Sequence, residues 1–485
     1  MTEPSLKDKT AKGLFWGGLS NGVQQLLNLF FGIFLARLLT PADYGMVGML
    51  TIFSLIATTL QESGFTAALA NKKDIKHEDY NAVFWFSIST SLCIYISLYL
   101  CAPLIAKFFN QPQLTTLARY SFLCFVISST GIAQNAYMFR NLMVKQKAIS
   151  VIIGLVISGL VGITLAYYGF SYWGIVTQNI TYVSSVMVCY WLFSPWRPTL
   201  SLNFSPLKGM ITFSSKILIT NILTHINNNV FSIILGKFYT EKEVGFYNQA
   251  NKWNYMGFSL INGMINGVAQ PILAQVSGNK ERQLIVFRKM MRFTSFISFP
   301  VMLGLSFTAP ELINITITEK WSESAKLLQL LCIYGAFIPI ASLFTNLIIS
   351  KGKSNTFMWN TIILGIIQLF IIYKICPYGI YMMIIAYILI NVLWLLIWHY
   401  FTWKEINYKI SHFFVDVLPF FFASTIVMAT TYFITYSIRN MYILFATKII
   451  VAAILYIVIM WLSKCEEFQE SVSFILAKIK KYRSI

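Results

Sequence analysis

Long apolar stretches, separated by short polar segments, fill almost the whole chain. Fourteen of them approach the roughly 20 residues with which a helix crosses about 30 Å of hydrocarbon. They lie near residues 13–37, 46–70, 81–102, 114–138, 148–168, 173–193, 210–236, 245–273, 293–313, 325–349, 356–375, 378–401, 413–436 and 441–462. The pattern predicts an all-α polytopic membrane protein with about 14 transmembrane helices, which we call spans 1 to 14 in chain order.

Composition agrees with this fold class. The chain is 57% hydrophobic and 11% charged, whereas a soluble domain carries about 25% charged residues. The first apolar stretch is too long for the core of a signal peptide and no small-residue cleavage pattern follows it, so we expect it to be retained as span 1. The four histidines lack metal-ligand spacing, and we expect neither a metal site nor a cofactor.

The net charge of +19 could indicate a nucleic-acid partner, but the basic residues concentrate in alternate short loops, as the positive-inside rule requires. With both termini in the cytoplasm, 25 of the 37 Lys and Arg lie on that side. The sequence therefore predicts a multi-pass protein with cytoplasmic termini and no nucleic-acid partner.

One segment occurs twice, at residues 21–45 and again at 221–245. Ungapped alignment gives seven identities: Asn21/Asn221, Asn28/Asn228, Phe31/Phe231, Ile33/Ile233, Leu35/Leu235, Thr40/Thr240 and Gly45/Gly245. The two copies are six spans apart and therefore cross in the same direction, which is typical of transporters built from parallel repeats. We predict two six-helix lobes around a central cavity, plus two extra C-terminal helices. The predicted parts are an N-terminal lobe 1–200, a C-terminal lobe 201–405, spans 13 and 14 in 406–463, and a cytoplasmic amphipathic tail 464–485.

The tail has apolar residues on one helical face and Lys and Arg near its end. This pattern favours a helix on the inner membrane surface against anionic lipid. A solvated tail is the alternative.

Polar side chains form matching stripes on spans 1 and 7. Because they are costly in lipid, they must face protein or water. They either line the central cavity from both lobes or mediate helix packing. The residues are Asn21, Gln25 and Asn28 on span 1, and Asn221, His225 and Asn228 on span 7.

Charges within the spans are costly and normally mark a pathway or an ion pair. Basic residues exceed acidic ones, which favours an anionic ligand such as a phosphate or pyrophosphate head group over a cationic drug. Cavity candidates are Arg119, Lys216 and Lys252, with Arg37 at an outer end; Lys448 is a further base in span 14; the acidic coupling candidates are Glu62 and Asp416.

Enzyme signatures are absent from the sequence. Lys351–Ser354 resembles the end of a phosphate-binding loop, but Leu347 stands where that motif needs glycine. Asp43, Glu241 and Glu243 are more typical of turns than of catalytic acids. We therefore expect no enzymatic activity.

Several motifs resemble the bacterial polysaccharide exporters, the O-antigen and colanic-acid type (Wzx-like) flippases of the multidrug/oligosaccharidyl-lipid/polysaccharide (MOP) superfamily. The similar segments are Lys12–Trp16, Leu35–Gly45, Glu62–Leu69 and Lys320–Trp321. The likeness is strongest over residues 1–150.

The resemblance implies two lobes forming a V around a cavity in the bacterial inner membrane. It also implies flipping of undecaprenyl-diphosphate-linked oligosaccharide to the outer leaflet by alternating access. Basic cavity residues would hold the pyrophosphate or acidic sugars while the lipid tail stays in the bilayer. Membrane lipids and a polysaccharide polymerase of the same pathway are the other expected partners.

Two alternatives belong to other classes. A cation-coupled multidrug exporter of the same superfamily would carry an acidic residue in span 1, but that span offers only amides. A membrane polymerase or glycosyltransferase would need a substantial outer loop, and the predicted loops are short.

Overall fold

The computed structural model describes the backbone of residues 6–62, 69, 75–207, 222, 229 and 231–483. Side chains are described over the same residues except 6–20, 61–62, 206, 474–475 and 478–483. The described chain is helical, with no strand among these residues. It divides into two compact units, Met1–Gly245 and Phe246–Ile485.

The described part of the first unit is made of helices. They are α1 (Leu6–Leu38), α2 (Pro41–Glu62), α3 (His77–Phe109), α4 (Leu114–Ser121), α5 (Leu123–Ser129), α6 (Ile132–Arg140), α7 (Val144–Tyr167), α8 (Tyr172–Phe193), α9 (231–238) and the start of α10 (Glu241–Gln275).

The helix α7 packs between α1 and α8 through a face of small residues. A methyl group at Gly159 would overlap the ring of Phe31 on α1, and one at Gly162 would lie only 3.0 Å from the side chain of Gln178 on α8. Glycines on such a face let helices approach closely, the usual basis of helix association in lipid.

The second unit is built around the long helix α11. Its helices are the rest of α10, α11 (Lys280–Ile317), α12 (Ser322–Gly335), α13 (Ile338–Ser350), α14 (Ser354–Ile375), α15 (Ile380–Ile406), α16 (Ile410–Thr435), α17 (Met441–Leu462) and α18 (Glu466–Arg483). Fully buried side chains along α11, among them Phe287, Phe299 and Ile313, form its core with α12, α13 and α16.

Nine helices of the described part are long and apolar enough to cross a membrane, or ten if one bent pair counts as a single span. These ten match predicted spans 2–5 and 9–14. The helices α1, α8 and α10 lie where spans 1, 6 and 8 are predicted, and most of span 7 lies outside the described residues. The all-α polytopic fold class is confirmed.

Span 4 is bent in its second half. Its two parts, Leu114–Ser129 and Ile132–Arg140, meet at an angle of 44°. The hydroxyls of Ser128, Ser129 and Thr130 each donate to the carbonyl three residues earlier, at 2.7–3.1 Å. Side chains that bond the backbone in this way compete with the helical hydrogen-bond ladder and bend it.

The repeated motif forms the same corner twice, at the starts of α2 and α10. Thr40 N–H donates to Asp43 Oδ2 at 2.8 Å and Asp43 N–H donates to Thr40 Oγ1 at 3.4 Å. Thr240 and Glu243 repeat this exchange at 2.9 and 3.3 Å. Each corner is thus a capping box that satisfies the free N–H groups of a helix start, and it matches the turn role predicted for these acids.

The two corners touch each other reciprocally within the first unit. A methyl group at Gly45 would overlap the backbone carbonyl of Glu241, and one at Gly245 would overlap that of Pro41. In the duplicated segments Gly45 corresponds to Gly245 and Pro41 corresponds to Glu241, so the second contact is the first one with the two copies exchanged. The duplicated corners are therefore related by an approximate two-fold axis. Glycine at both positions is required by this close approach of one helix start to the other.

Candidate functional site

The polar stripe of α1 is exposed on the surface of the protein. Asn21, Gln25 and Asn28 are all largely exposed, whereas side chains that mediate helix packing would be buried. Because amides are costly in hydrocarbon, this exposure agrees with a role in lining a cavity, which stays a prediction. Their predicted counterparts Asn221, His225 and Asn228 lie outside the described residues.

A pocket of about 500 Å³ lies at the N-terminal end of this stripe, within the first unit. The helix α1 contributes Asn21 and Gln24, while the junction of α6 with α7 contributes Phe139, Arg140 and Lys147. The tight turn between α6 and α7 brings both basic side chains to the same mouth. Its remaining walls are apolar: Met138, Leu142, Val144, Ala148 and Val151.

The pocket is electropositive because it holds two cations and no acid among the described residues that line it. Arg140 is fixed by an Nη1–H donated to the carbonyl of Leu69 at 3.0 Å. The Lys147 ammonium lies 5.2 Å from the centre of the Phe139 ring. Guanidinium and ammonium groups beside amides can bind phosphate oxygens and sugar hydroxyls at neighbouring points.

Arg140 and Lys147 were not predicted as site residues. In the sequence analysis they counted only among the basic loop residues that predict the orientation of the chain in the membrane. The available signal was that the loop between spans 4 and 5 is very short, which places its charges directly against the helix ends.

The other predicted basic residues do not converge on this pocket. Arg37 is exposed in the last turn of α1 and Lys252 is exposed on α10. Arg119 lies against α3, with its guanidinium 4.3 Å from the centre of the Tyr99 ring and Nε donating to the Tyr99 carbonyl at 3.3 Å. Lys216 lies outside the described residues.

Of the two coupling candidates, Asp416 is fully buried in an ion pair. Its carboxylate accepts from Arg288 Nη2 at 2.9 Å and from Nε at 3.0 Å. The Tyr408 hydroxyl donates to the same carboxylate at 3.3 Å. Burial, together with Asp416, raises the pKa of the Tyr408 phenol, which keeps this donor protonated. These bonds join α11 to α16. Glu62 ends α2, and its side chain is outside the described set.

A second buried ion pair escaped the sequence prediction because the acidic partner was not recognised. Lys448 Nζ on α17 lies 2.7 Å from Glu311 Oε1 on α11, and both side chains are only 10% exposed. The ammonium also lies 4.3 Å from the centre of the Phe307 ring. The pair borders a largely apolar pocket of about 560 Å³ between α10, α11, α16 and α17.

Similar proteins place the chain among polysaccharide biosynthesis proteins. The family model described as "Polysaccharide biosynthesis protein" matches residues 34–326. A membrane protein encoded in the cps region of Klebsiella pneumoniae is 26% identical over 72% of this chain and 73% of its own length. The lipopolysaccharide biosynthesis protein WzxC of Escherichia coli K12 is 23% identical over 72% of this chain and 71% of its own length.

Among solved structures, the lipid II flippase MurJ in its inward closed conformation superposes with a TM-score of 0.75 at 16% identity. The superposition covers 91% of this chain and 97% of MurJ. A multidrug transporter of the MATE family in its inward-facing conformation superposes with a TM-score of 0.57 at 17% identity. That superposition covers 84% of this chain and 95% of the transporter. These likenesses confirm the all-α membrane fold. The family model matches more than half of the sequence and shows that this multi-pass membrane protein belongs to the polysaccharide biosynthesis protein family.

Proposed function

We propose that this protein flips undecaprenyl-diphosphate-linked oligosaccharide from the cytoplasmic to the outer leaflet of the bacterial inner membrane by alternating access. The observation that carries the proposal is the pocket in which Arg140 and Lys147 meet the amides of Asn21 and Gln24. A diphosphate linked to a sugar presents the chemistry that such a pocket fits: adjacent anionic oxygens beside hydroxyl groups.

The names of the relatives support the same substrate class. They include a teichuronic acid biosynthesis protein of Bacillus subtilis and a succinoglycan biosynthesis transport protein of Rhizobium meliloti, 22% and 21% identical to this chain. MurJ, whose TM-score is higher than that of the MATE transporter, is a lipid II flippase. Teichuronic acid and succinoglycan are polysaccharides, and the flippase MurJ carries a lipid-linked substrate.

The geometry suggests how each part contributes. The cations of the pocket neutralise the diphosphate, the amide stripe of α1 offers hydrogen bonds to sugar hydroxyls along the path, and the lipid tail stays in the bilayer. The reciprocal contact at Gly45 and Gly245 holds the starts of α2 and α10 together on the predicted outer side.

Multidrug export is the weaker candidate. An exporter of cations needs carboxylates along its path, but the exposed stripe on α1 carries only amides in its described part. The MATE transporters are also less similar in fold, with a TM-score of 0.57 against 0.75 for MurJ. We expect this protein to have no enzymatic activity of its own. A polysaccharide polymerase is the expected consumer of the flipped product.

Substitution of both pocket cations tests the proposal in cells. We expect Arg140→Gln with Lys147→Gln to abolish surface polysaccharide at an unchanged level of protein in the membrane. Lys145→Gln is the matched control, since Lys145 is exposed on the same turn of α7 and does not line the pocket. Normal surface polysaccharide in the double variant would refute the role of this pocket.

A further inference from the structure

The last helix begins at the membrane boundary. The spanning helix α17 ends at Leu462 and α18 begins at Glu466. The turn between them is sharp because Lys464 adopts a left-handed conformation, with φ of 51°. The direction of the chain therefore changes where it leaves the hydrocarbon.

All three acidic residues of α18 are ion-paired with the neighbouring helix α11. Arg292 lies 3.0 Å from Glu466 and 2.9 Å from Glu467, measured from guanidinium nitrogen to carboxylate oxygen. The Lys289 ammonium lies 2.7 Å from Glu470. These contacts fix both the position of the first two turns of α18 and its rotation about its own axis.

The ion pairs also set the depth of the helix. An α-helix rises 1.5 Å per residue, so the 25 residues from Arg292 to the end of α11 at Ile317 span about 38 Å. The hydrocarbon is only about 30 Å thick. With the outer end of α11 at one boundary, Arg292 lies a few ångströms beyond the other, at the level of the lipid head groups.

The face of α18 opposite its acids is apolar and uncovered. At 100° per residue, Glu466 and Glu470 lie on one side and Val472 on the other, with Leu476 flanking it. Val472 and Leu476 are exposed in the folded protein, whereas Glu467 is buried. Because the acids are neutralised by α11, the remaining charges of the tail are all basic: Lys464, Lys478, Lys480, Lys481 and Arg483.

We propose that α18 lies along the bilayer surface with Val472 and Leu476 inserted among anionic phospholipids. The ion pairs to α11 act as a lock that turns the apolar face toward the membrane. The basic end then adds electrostatic attraction to the leaflet, as in other amphipathic surface helices. On the predicted orientation, this leaflet is the cytoplasmic one.

Spin labels on the full-length protein in nanodiscs test this placement. One label replaces Val472 and a second replaces Ala477, an exposed residue on the acidic side, each in a variant whose seven native cysteines are serine. The nanodiscs contain either phosphatidylcholine alone or phosphatidylcholine with phosphatidylglycerol. Collision with oxygen reports contact with lipid, and collision with a water-soluble paramagnetic complex reports contact with water.

We expect the label at 472 to contact lipid and the label at 477 to contact water in the anionic nanodiscs. In phosphatidylcholine alone, and in anionic nanodiscs when the four basic residues after 477 are glutamine, we expect the label at 472 to contact lipid less, because the ion pairs to α11 still orient the helix but the attraction of its basic end to the leaflet is lost. A label at 472 that contacts water in anionic nanodiscs indicates a solvated tail and overturns the proposal. Equal lipid contact in the two lipids overturns its electrostatic part.

A second pair of substitutions tests the lock. Glu466→Gln with Glu470→Gln removes two of the three acidic partners and leaves the apolar face intact. We expect the difference between the two labels to shrink, because the rotation of the helix is no longer fixed. An unchanged difference would show that α11 does not orient α18.

Discussion

The ion pair between Lys448 and Glu311 provides the sharpest test of how the second unit is held together. It is the contact of charged groups that joins α17 to α11, and both side chains are only 10% exposed. Replacing Lys448 by Met keeps a long apolar side chain in place and leaves the Glu311 carboxylate without its cation. Glu311→Gln produces the opposite defect with almost no change in shape.

The expected loss follows from this burial. Breaking a buried pair by removing one partner costs about 3–5 kcal/mol, because the other charge remains uncompensated. Replacing both partners by apolar residues is often neutral or stabilising. We therefore expect each single variant to lose about 3–5 kcal/mol and the Lys448→Met/Glu311→Met double variant to regain most of it.

Thermal unfolding of purified protein in nanodiscs measures the effect, with tryptophan fluorescence as the signal from the 12 tryptophans. On a scale of about 2–4 °C per kcal/mol, the single variants should unfold about 6–20 °C below the unmodified protein. Lys326→Met is the control, since the Lys326–Glu323 pair is exposed, at 59% and 42%. Such surface pairs contribute about 0–1 kcal/mol.

Two results would contradict this reasoning. Single variants as stable as the unmodified protein would mean that water or lipid head groups solvate the site. A double variant no better than either single variant would mean that packing around the side chains, rather than their charges, supports α17.

Two further changes probe the corners and the second ion pair. Gly45→Ala or Gly245→Ala should destabilise the protein by about 1–3 kcal/mol, because the added methyl group overlaps a backbone carbonyl. Gly267→Ala is the control and should not destabilise it, because a methyl group there meets open space. Equal melting temperatures in all three variants would disprove the close contact. Asp416→Asn should lower the melting temperature, because it leaves the half-buried Arg288 without its charge partner. The double variant Arg288→Met/Asp416→Met should restore the melting temperature of the unmodified protein. Full stability with lost transport in Asp416→Asn would instead support the coupling role.

Local features of the fold were predictable from the sequence because local chemistry determines them. Thr40 and Asp43, three residues apart and followed by an apolar run, signal a helix start. Their repetition at Thr240 and Glu243 signals a second one in the same direction. The bend in span 4 was not predicted, because an apolar run gives the extent of a span and not its straightness.

The candidate site was less predictable because it depends on contacts between distant segments. The basic pocket joins Asn21 to Arg140 and Lys147, which lie more than a hundred residues further along the chain. The reciprocal glycine contact and the Glu311–Lys448 pair have the same origin. The hydrophobic pattern predicts the helices and the loop charges predict their direction, but which helix faces meet is decided by packing.

The most direct test of flipping is the leaflet location of the lipid-linked oligosaccharide in cells. Intact spheroplasts are treated with a membrane-impermeant reagent that labels oxidised sugars, in a strain that lacks this protein and other members of its family. We expect labelled lipid-linked oligosaccharide when the unmodified protein or Lys145→Gln is restored, and none with the empty vector or with Arg140→Gln/Lys147→Gln. Equal labelling with the empty vector would show that this protein does not carry the substrate across the membrane.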